Sequence, residues 1–172
     1  MNRAGTITTV VAATLFGVIG GAALERRYHR CPEPVMKQRL EDSVRTYTVE
    51  RYVDGDTVDV EEGVEVLLYR IRLAGIDTPE KGKPLCKEAT QTLAQLVGGR
   101  KIILEKDPSK ETGNFGRPLR YIVVDGKNLN IELVRLGYAE LKYHEGLKYE
   151  NEFIAAEKEA KENKRGLWAG FE

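Results

Sequence analysis

The chain has 172 residues, a formal net charge of zero, 41% apolar residues and 31% charged residues. This composition is typical of a globular protein and excludes a disordered one, and the length fits one domain with an additional segment. Residues 1–30 carry four arginines and one glutamate, a net charge of +3, which leaves −3 for residues 31–172. Any attraction to a polyanion must therefore be local rather than global.

The additional segment is N-terminal and covers residues 1–30. Its residues 6–24 form a run of nineteen without a charge, which as a helix rising about 1.5 Å per residue just crosses a bilayer. The length of the run favours a membrane anchor. The alternative is a secretory signal peptide, with Arg3 as its positive end and small residues at Gly21 to Ala23 for cleavage. We expect a membrane-anchored protein, or a secreted one if the segment is cleaved.

Residues 31–45 are polar, contain two prolines and predict a linker, so the folded domain is expected over residues 46–170. Cys31 and Cys86 are the only cysteines, and neither lies in a metal-binding spacing. Whether they form a disulfide depends on the compartment and is left open.

Within the domain, alternating β-forming residues predict strands over residues 46–53, 57–60 and 64–73. An amphipathic helix over residues 87–97 follows and ends at Gly98. Strands are then predicted over 101–105 and 119–124, and helices over 130–136 and 149–163. Five strands and about three helices predict an α+β fold, a small OB-type barrel capped by the helices.

Three motifs carry chemistry: Asp54 to Thr57, the stretch from Arg72 through Asp77 to Glu80, and Phe115 to Arg117. Together they supply carboxylate oxygens for a hard cation, a candidate general base and two guanidinium groups that match phosphate oxygens. Each motif alone is also typical of a turn or of a solvated strand residue. Their co-occurrence favours a metal-assisted phosphodiesterase.

In the order and content of these motifs, residues 46–168 resemble the staphylococcal nuclease (thermonuclease) family. The resemblance implies an OB-fold enzyme, monomeric in its catalytic domain, that uses one Ca²⁺ ion to cleave DNA or RNA. It implies that the 5′ P–O bond breaks and leaves a 3′-phosphate. It further implies the roles of six residues: metal ligation by Asp56, Asp77 and the backbone carbonyl of Thr78, and catalysis by Arg72, Glu80 and Arg117.

Substrate binding is predicted from Tyr143, which corresponds to a nucleotide-contacting tyrosine of the family, and from a basic rim at Lys81 and Lys83. Ordinary packing of the tyrosine and plain solubility for the lysines are the alternatives. Asn114 and Phe115 replace a lysine and a tyrosine of the staphylococcal enzyme, so we expect weaker phosphate affinity.

A different class of function stays open, namely a nuclease-like OB module that binds nucleic acid or protein without cutting it. Such modules have typically lost acid or arginine positions of the motif, and this chain retains all of them. The enzyme is therefore the favoured interpretation.

Overall fold

The computed structural model describes residues 45–62 and 65–170 of the chain. The predicted anchor, the linker up to residue 44 and Cys31 lie outside the described residues. Within the described ranges, no helix is both long and apolar enough to cross a membrane.

The β-structure is a ring of five main strands. In chain order the strands are β1 (Tyr47–Tyr52), β2 (Thr57–Glu62), β3 (Glu65–Leu73), β4 (Ile76–Asp77), β5 (Ile103–Lys106), β6 (Leu119–Val124), β7 (Lys127–Asn128) and β8 (Glu140–Leu141). The sheet has the order β1-β2-β3-β6-β5, with β3 and β6 parallel and the other pairs antiparallel. Tyr47 and Ile102 exchange two backbone hydrogen bonds of 2.9 Å. This bridge joins β1 to the residue before β5 and closes the ring.

Alternation along the strands separates the inside of the ring from its outside. Val58 and Val60 of β2 have no exposed surface, whereas Asp59 between them forms ion pairs with Arg51 and Arg70 on the outer face. Hydrophobic burial on one face and paired charges on the other fix the register, because a slip of one residue exchanges the two faces.

Three α-helices cover the ring: α1 (Cys86–Val97), α2 (Leu129–Arg135) and α3 (Glu150–Glu162). Helix α1 buries Ala89, Leu93 and Val97 at intervals of four residues and ends at Gly98 with a φ of 57°. Asn128 is the N-cap of α2, and its side chain accepts hydrogen bonds from two backbone N–H groups of the first turn. Helix α3 packs on α2 and buries Phe153 completely.

A buried polar contact fixes α2 to the end of the barrel where β3 and β6 run side by side. Asn130 has no exposed surface, and its amide donates to the carbonyls of Ala74 and Arg120 at 3.0 and 3.1 Å. Its side-chain oxygen accepts a hydrogen bond from the N–H of Ile122. The backbone at the end of β3 is thereby held in place, and Arg72 with it.

The predicted α+β class with about three helices is confirmed for the described residues. Strand β6 has the predicted bounds, while β5 begins at Ile103 rather than at residue 101. The prediction of five strands was incomplete. It omitted β4, β7 and β8, which have two residues each. A strand of two residues has no alternation to detect.

Candidate active site

The strand register brings three separated motifs to one end of the barrel. Thr57 is the partner of Arg72 in the β2–β3 pair, and the carbonyl of Asp56 accepts a hydrogen bond of 2.8 Å from the N–H of Leu73. On the other side of β3, the N–H of Arg72 donates to the carbonyl of Pro118 at 3.0 Å. Asp56, directly before β2, and Arg117, two residues before β6, thus flank Arg72 of β3.

The turn between β1 and β2 packs closely against the segment that follows β4. Oδ2 of Asp56 accepts hydrogen bonds from the N–H and the hydroxyl of Thr78, at 2.8 and 3.0 Å. A Cβ added at Gly55 would lie 2.7 Å from the Cβ of Ala89 and 2.9 Å from the side chain of Thr78. Glycine at this position is therefore what allows the turn to approach Thr78.

Arg72 lies between the two carboxylates. Its side chain is only 15% exposed, and Nη1 donates to the carbonyls of Ile76 and Leu73 at 2.8 and 3.0 Å. Nη2 contacts Oδ1 of Asp77 at 2.7 Å and Oδ2 of Asp56 at 3.0 Å. Because the two acids contact the same nitrogen atom, they converge on one point.

The carboxyl of Asp56 has a raised pKa. Burial is the largest effect and raises the pKa, the guanidinium of Arg72 lowers it, and the nearby Asp54 raises it. The net result is a pKa of about 6. A carboxyl in this position is stabilised in its charged form by any added positive charge. This is the electrostatic setting in which a bound cation is favoured.

The oxygen donors at this point fit a hard divalent cation. Asp56 and Asp77 offer anionic oxygens that converge. Thr78, the residue after Asp77 in the sequence, offers a backbone carbonyl. Among the described residues there is no group of three or more histidine, cysteine or acidic side chains that could hold a metal.

Three cavities adjoin the cluster, and two of them contain the arginines. The smaller one, of about 160 Å³, is lined by Asp54, Asp56, Thr57, Arg72, Asp77, Thr78, Pro79, Glu80 and Arg117. The larger one, of about 340 Å³, shares Arg72, Asp77, Glu80 and Arg117 with it and extends to Lys110, Lys142 and Tyr143. Its volume falls in the range of ligand pockets. All three predicted catalytic side chains line both of these cavities, which together we call the cleft.

Arg117 and Glu80 differ from Arg72 in having polar groups available. Within the described residues, Nε of Arg117 is buried without a hydrogen-bond partner. The side chain of Glu80 is exposed and lines both cavities. A buried guanidinium nitrogen without a partner is costly unless a ligand satisfies it.

The residues predicted to bind substrate are divided between the cleft and its surroundings. Tyr143 lines the larger cavity, is 62% exposed and has a φ of 54°, so its ring is not packed beneath α3. Lys83 instead lines the third cavity, of about 440 Å³, which also contains Asp77, Thr78 and Glu80 but neither arginine. Lys81 is exposed and lines none of these three cavities.

Two further lysines line the cleft: the sequence pointed to Lys142, which is next to Tyr143, and gave no signal for Lys110. Nζ of Lys110 lies 5.2 Å and Nζ of Lys142 lies 5.9 Å from the centre of the Tyr143 ring. Lys142 reaches the site through the pairing of β4 with β8 and a backbone hydrogen bond of 3.0 Å to Gly75. The position of Lys142 next to Tyr143 in the sequence was the local signal for this arrangement.

This α+β domain brings two convergent carboxylates, two guanidiniums and an exposed acid to one cleft, and these are residue types that cleavage of a phosphodiester bond uses. Residues 70–170 match the family model described as staphylococcal nuclease homologue. The chain belongs to the staphylococcal nuclease family, and the prediction from its motifs is confirmed.

The chain is similar to several proteins named as nucleases. It is 36% identical over 130 residues to the SPbeta prophage-derived endonuclease YokF of Bacillus subtilis (strain 168), covering 71% of this chain and 43% of that protein. It is 32% identical over 132 residues to the thermonuclease of Staphylococcus hyicus, covering 73% and 76%. The endonuclease YncB of Bacillus subtilis (strain 168) is 34% identical over 130 residues, with 71% and 61% covered. The chain thus spans less than two thirds of the two Bacillus proteins, and the family together with these relatives supports a nuclease hydrolase.

Proposed function

We propose that the protein is a Ca²⁺-dependent endonuclease that hydrolyses phosphodiester bonds in DNA, RNA or both, with a monomeric catalytic domain built on an OB-type barrel. The observation that carries the proposal is the cleft itself, in which Arg72, Arg117 and Glu80 surround the two convergent carboxylates. Membership of the staphylococcal nuclease family supports the same reaction class.

The two arginines act on the scissile phosphate in different ways. The guanidinium of Arg117 offers N–H donors to its oxygens. Nη1 and Nη2 of Arg72 are engaged by two carbonyls and two carboxylates, so Arg72 contributes its positive charge and its Nε–H. Arg117 has a buried Nε without a partner in the described part of the chain, so this group is free to bind an incoming oxygen. Attack by water increases the negative charge on the non-bridging oxygens, and the arginines therefore bind the transition state more tightly than the ground state.

Glu80 acts on the attacking water. Its exposed carboxylate lines both cavities of the cleft, where it orients the water and accepts its proton. The water oxygen forms a new bond to phosphorus as the 5′ P–O bond breaks. The leaving 5′ oxygen takes up a proton, and the phosphate stays on the 3′ side.

Asp56, Asp77 and the carbonyl of Thr78 would hold the cation. When bound, Ca²⁺ supplies positive charge next to a phosphate oxygen and neutralises the charge that develops there. Arg72 orients both carboxylates through a single nitrogen. Thr78 and Thr57 fix Asp56 by three further hydrogen bonds.

The proposal is tested by incubating the full-length protein with single- and double-stranded DNA and with RNA, in Ca²⁺ and in a Ca²⁺ chelator. We expect cleavage only with Ca²⁺, and products that a polymerase extends only after phosphatase removes their 3′-phosphates. Arg117→Ala and Glu80→Gln should each lower kcat about a hundredfold or more. Arg100→Ala, which removes an exposed arginine paired with Asp125 away from the cleft, is the control.

The outcomes separate the enzyme from its alternatives. Cleavage that persists in the chelator would overturn the ligand assignment, and near-wild-type turnover by Arg117→Ala would remove its transition-state role. Binding of nucleic acid without any cleavage would favour the non-catalytic OB module.

We also propose that residues 6–24 anchor the protein in a membrane. The length of this uncharged run supports the proposal. Cell fractionation with intact-mass measurement tests it. Retention of the full chain in the membrane fraction is expected, whereas loss of about two dozen residues would indicate a cleaved signal peptide.

A further inference from the structure

Lys142 forms an ion pair with a predicted metal ligand. Its Nζ donates to Oδ2 of Asp77 at 2.6 Å, while Arg72 contacts Oδ1 of the same carboxylate at 2.7 Å. Both oxygens of Asp77 are thus engaged by positively charged side chains. A cation that binds Asp77 must displace Lys142 or bind beside its positive charge.

The two positive partners of Asp77 differ in their freedom to move. Arg72 is 15% exposed and is held by two backbone carbonyls. The side chain of Lys142 is 47% exposed, and Asp77 is its only ion-pair partner within the described residues. Arg72 is therefore a fixed part of the site, whereas Lys142 is free to leave Asp77 for another anion.

The cleft determines which anion that is. Lys142 lines the larger cavity together with Lys110, Arg117 and Arg72, and the acids in that cavity are Asp77 and Glu80. Once Asp77 is bound to a cation, the anionic groups left in this cavity are Glu80, which the proposed function assigns to the attacking water, and the phosphates of a nucleic acid lying in the cleft.

We propose that Lys142 couples cation binding to nucleic-acid binding. In the cation-free protein Lys142 neutralises Asp77 and opposes cation binding; in the complex it moves to a backbone phosphate next to the scissile one. The inference rests on the proposed function and adds a residue and a binding order to it. Lys142 is a positioning residue in this scheme, because it acts on the cation through Asp77.

The scheme predicts two opposite effects of removing the charge. In Lys142→Gln, Ca²⁺ should bind about tenfold more tightly in the absence of nucleic acid, because a competing positive charge is gone. An oligonucleotide should bind about tenfold more weakly, because a phosphate contact is lost. The factor by which an oligonucleotide increases Ca²⁺ affinity should therefore be smaller than in the unmodified protein.

The experiment is isothermal titration calorimetry of the full-length protein, with Glu80→Gln present throughout to prevent turnover. Ca²⁺ is titrated with and without a short single-stranded oligonucleotide. Lys142→Arg, which keeps the charge, should behave as the parent does. Lys161→Gln is the matched control. Like Lys142, Lys161 forms an ion pair of 2.6 Å, here with Glu157, and its side chain is 47% exposed, but it lies on α3.

Unchanged or weaker Ca²⁺ affinity of Lys142→Gln in the absence of nucleic acid would overturn the inference, as would an equal effect of Lys161→Gln. Thermal unfolding in chelator verifies that the variants are folded. If the wild-type protein cleaves nucleic acid with Ca²⁺ while Lys142→Gln leaves both affinities unchanged, the inference alone is wrong. If the protein neither binds Ca²⁺ nor cleaves, both the inference and the proposed function are wrong.

Discussion

Asp107→Asn is expected to remove a pH-dependent part of the free energy of unfolding. Asp107 follows β5, is 3% exposed and accepts hydrogen bonds of 2.8 Å from the N–H groups of Ser109 and Lys148. The hydroxyls of Ser109 and of the fully buried Tyr121 donate to it as well. The bond to Lys148 connects the barrel to the segment that carries Lys142 and Tyr143 of the cleft.

The magnitude follows from the pKa of this carboxyl. Burial acts to raise the pKa of Asp107, but the hydrogen bonds from Ser109, Tyr121 and Lys148 together lower it to about 2. An aspartate in an unfolded chain has a pKa of about 3.9, and the difference stabilises the folded state by about 2.6 kcal/mol at pH 7.

The sign of the pH dependence is set by the lowered pKa. The contribution is fully present above the unfolded pKa and is lost as the pH falls through the folded pKa. At pH 3, which lies between the two, about half of it, roughly 1.3 kcal/mol, remains. Asparagine cannot ionise, so the difference in stability between the wild-type protein and Asp107→Asn should shrink by this amount from pH 7 to pH 3.

The assay is urea unfolding of both proteins at pH 7 and pH 3 with a chelator present. Acid destabilisation that arises from other groups affects both proteins and cancels in the difference. Asp125→Asn is the control, because the Asp125 side chain is 69% exposed, and its effect should stay within about 0.5 kcal/mol at both pH values. A difference for Asp107→Asn that is the same at both pH values would refute the reasoning.

Three further predictions concern the turn before the site, the rim of the cleft and the core. Gly55→Ala should destabilise the protein by about 1–3 kcal/mol and weaken Ca²⁺ binding, because its Cβ meets Thr78 and Ala89; wild-type values in thermal unfolding and calorimetry would contradict this. Tyr143→Ala should raise KM about threefold to tenfold without changing kcat, because one stacked base is lost from an exposed ring, and Tyr143→Phe should restore KM. Phe153→Ala should lower the free energy of unfolding, measured in urea, by about 3–5 kcal/mol, because the ring has no exposed surface. A loss below about 1 kcal/mol would show that neighbouring side chains fill the space left by the ring.

Local patterns were sufficient for the main strands, for the helices and for the family. The run of β-forming residues over 119–124 predicted β6 with its observed bounds. The amphipathic pattern with Ala89, Leu93, Leu96 and Val97 on one side predicted α1, and the structure buries all of these except Leu96, which is partly exposed. These signals are local because the period of a strand or helix repeats within a few residues. The motifs around Asp56, Arg72 and Arg117 were sufficient to predict the family that the comparison confirmed.

Only the tertiary structure decided how those motifs meet. Asp56, Arg72 and Arg117 converge because β2 and β6 both pair with β3, and no local signal specifies the parallel β3–β6 pair. Lys142 reaches Asp77 through β4 and β8, which have two residues each and no periodicity. Lys81 and Lys83, chosen from the sequence as charged residues near the site, lie outside the two cavities that contain the arginines. The residue types therefore determined the chemistry that is available, and long-range strand pairing determined which of these side chains share a cleft.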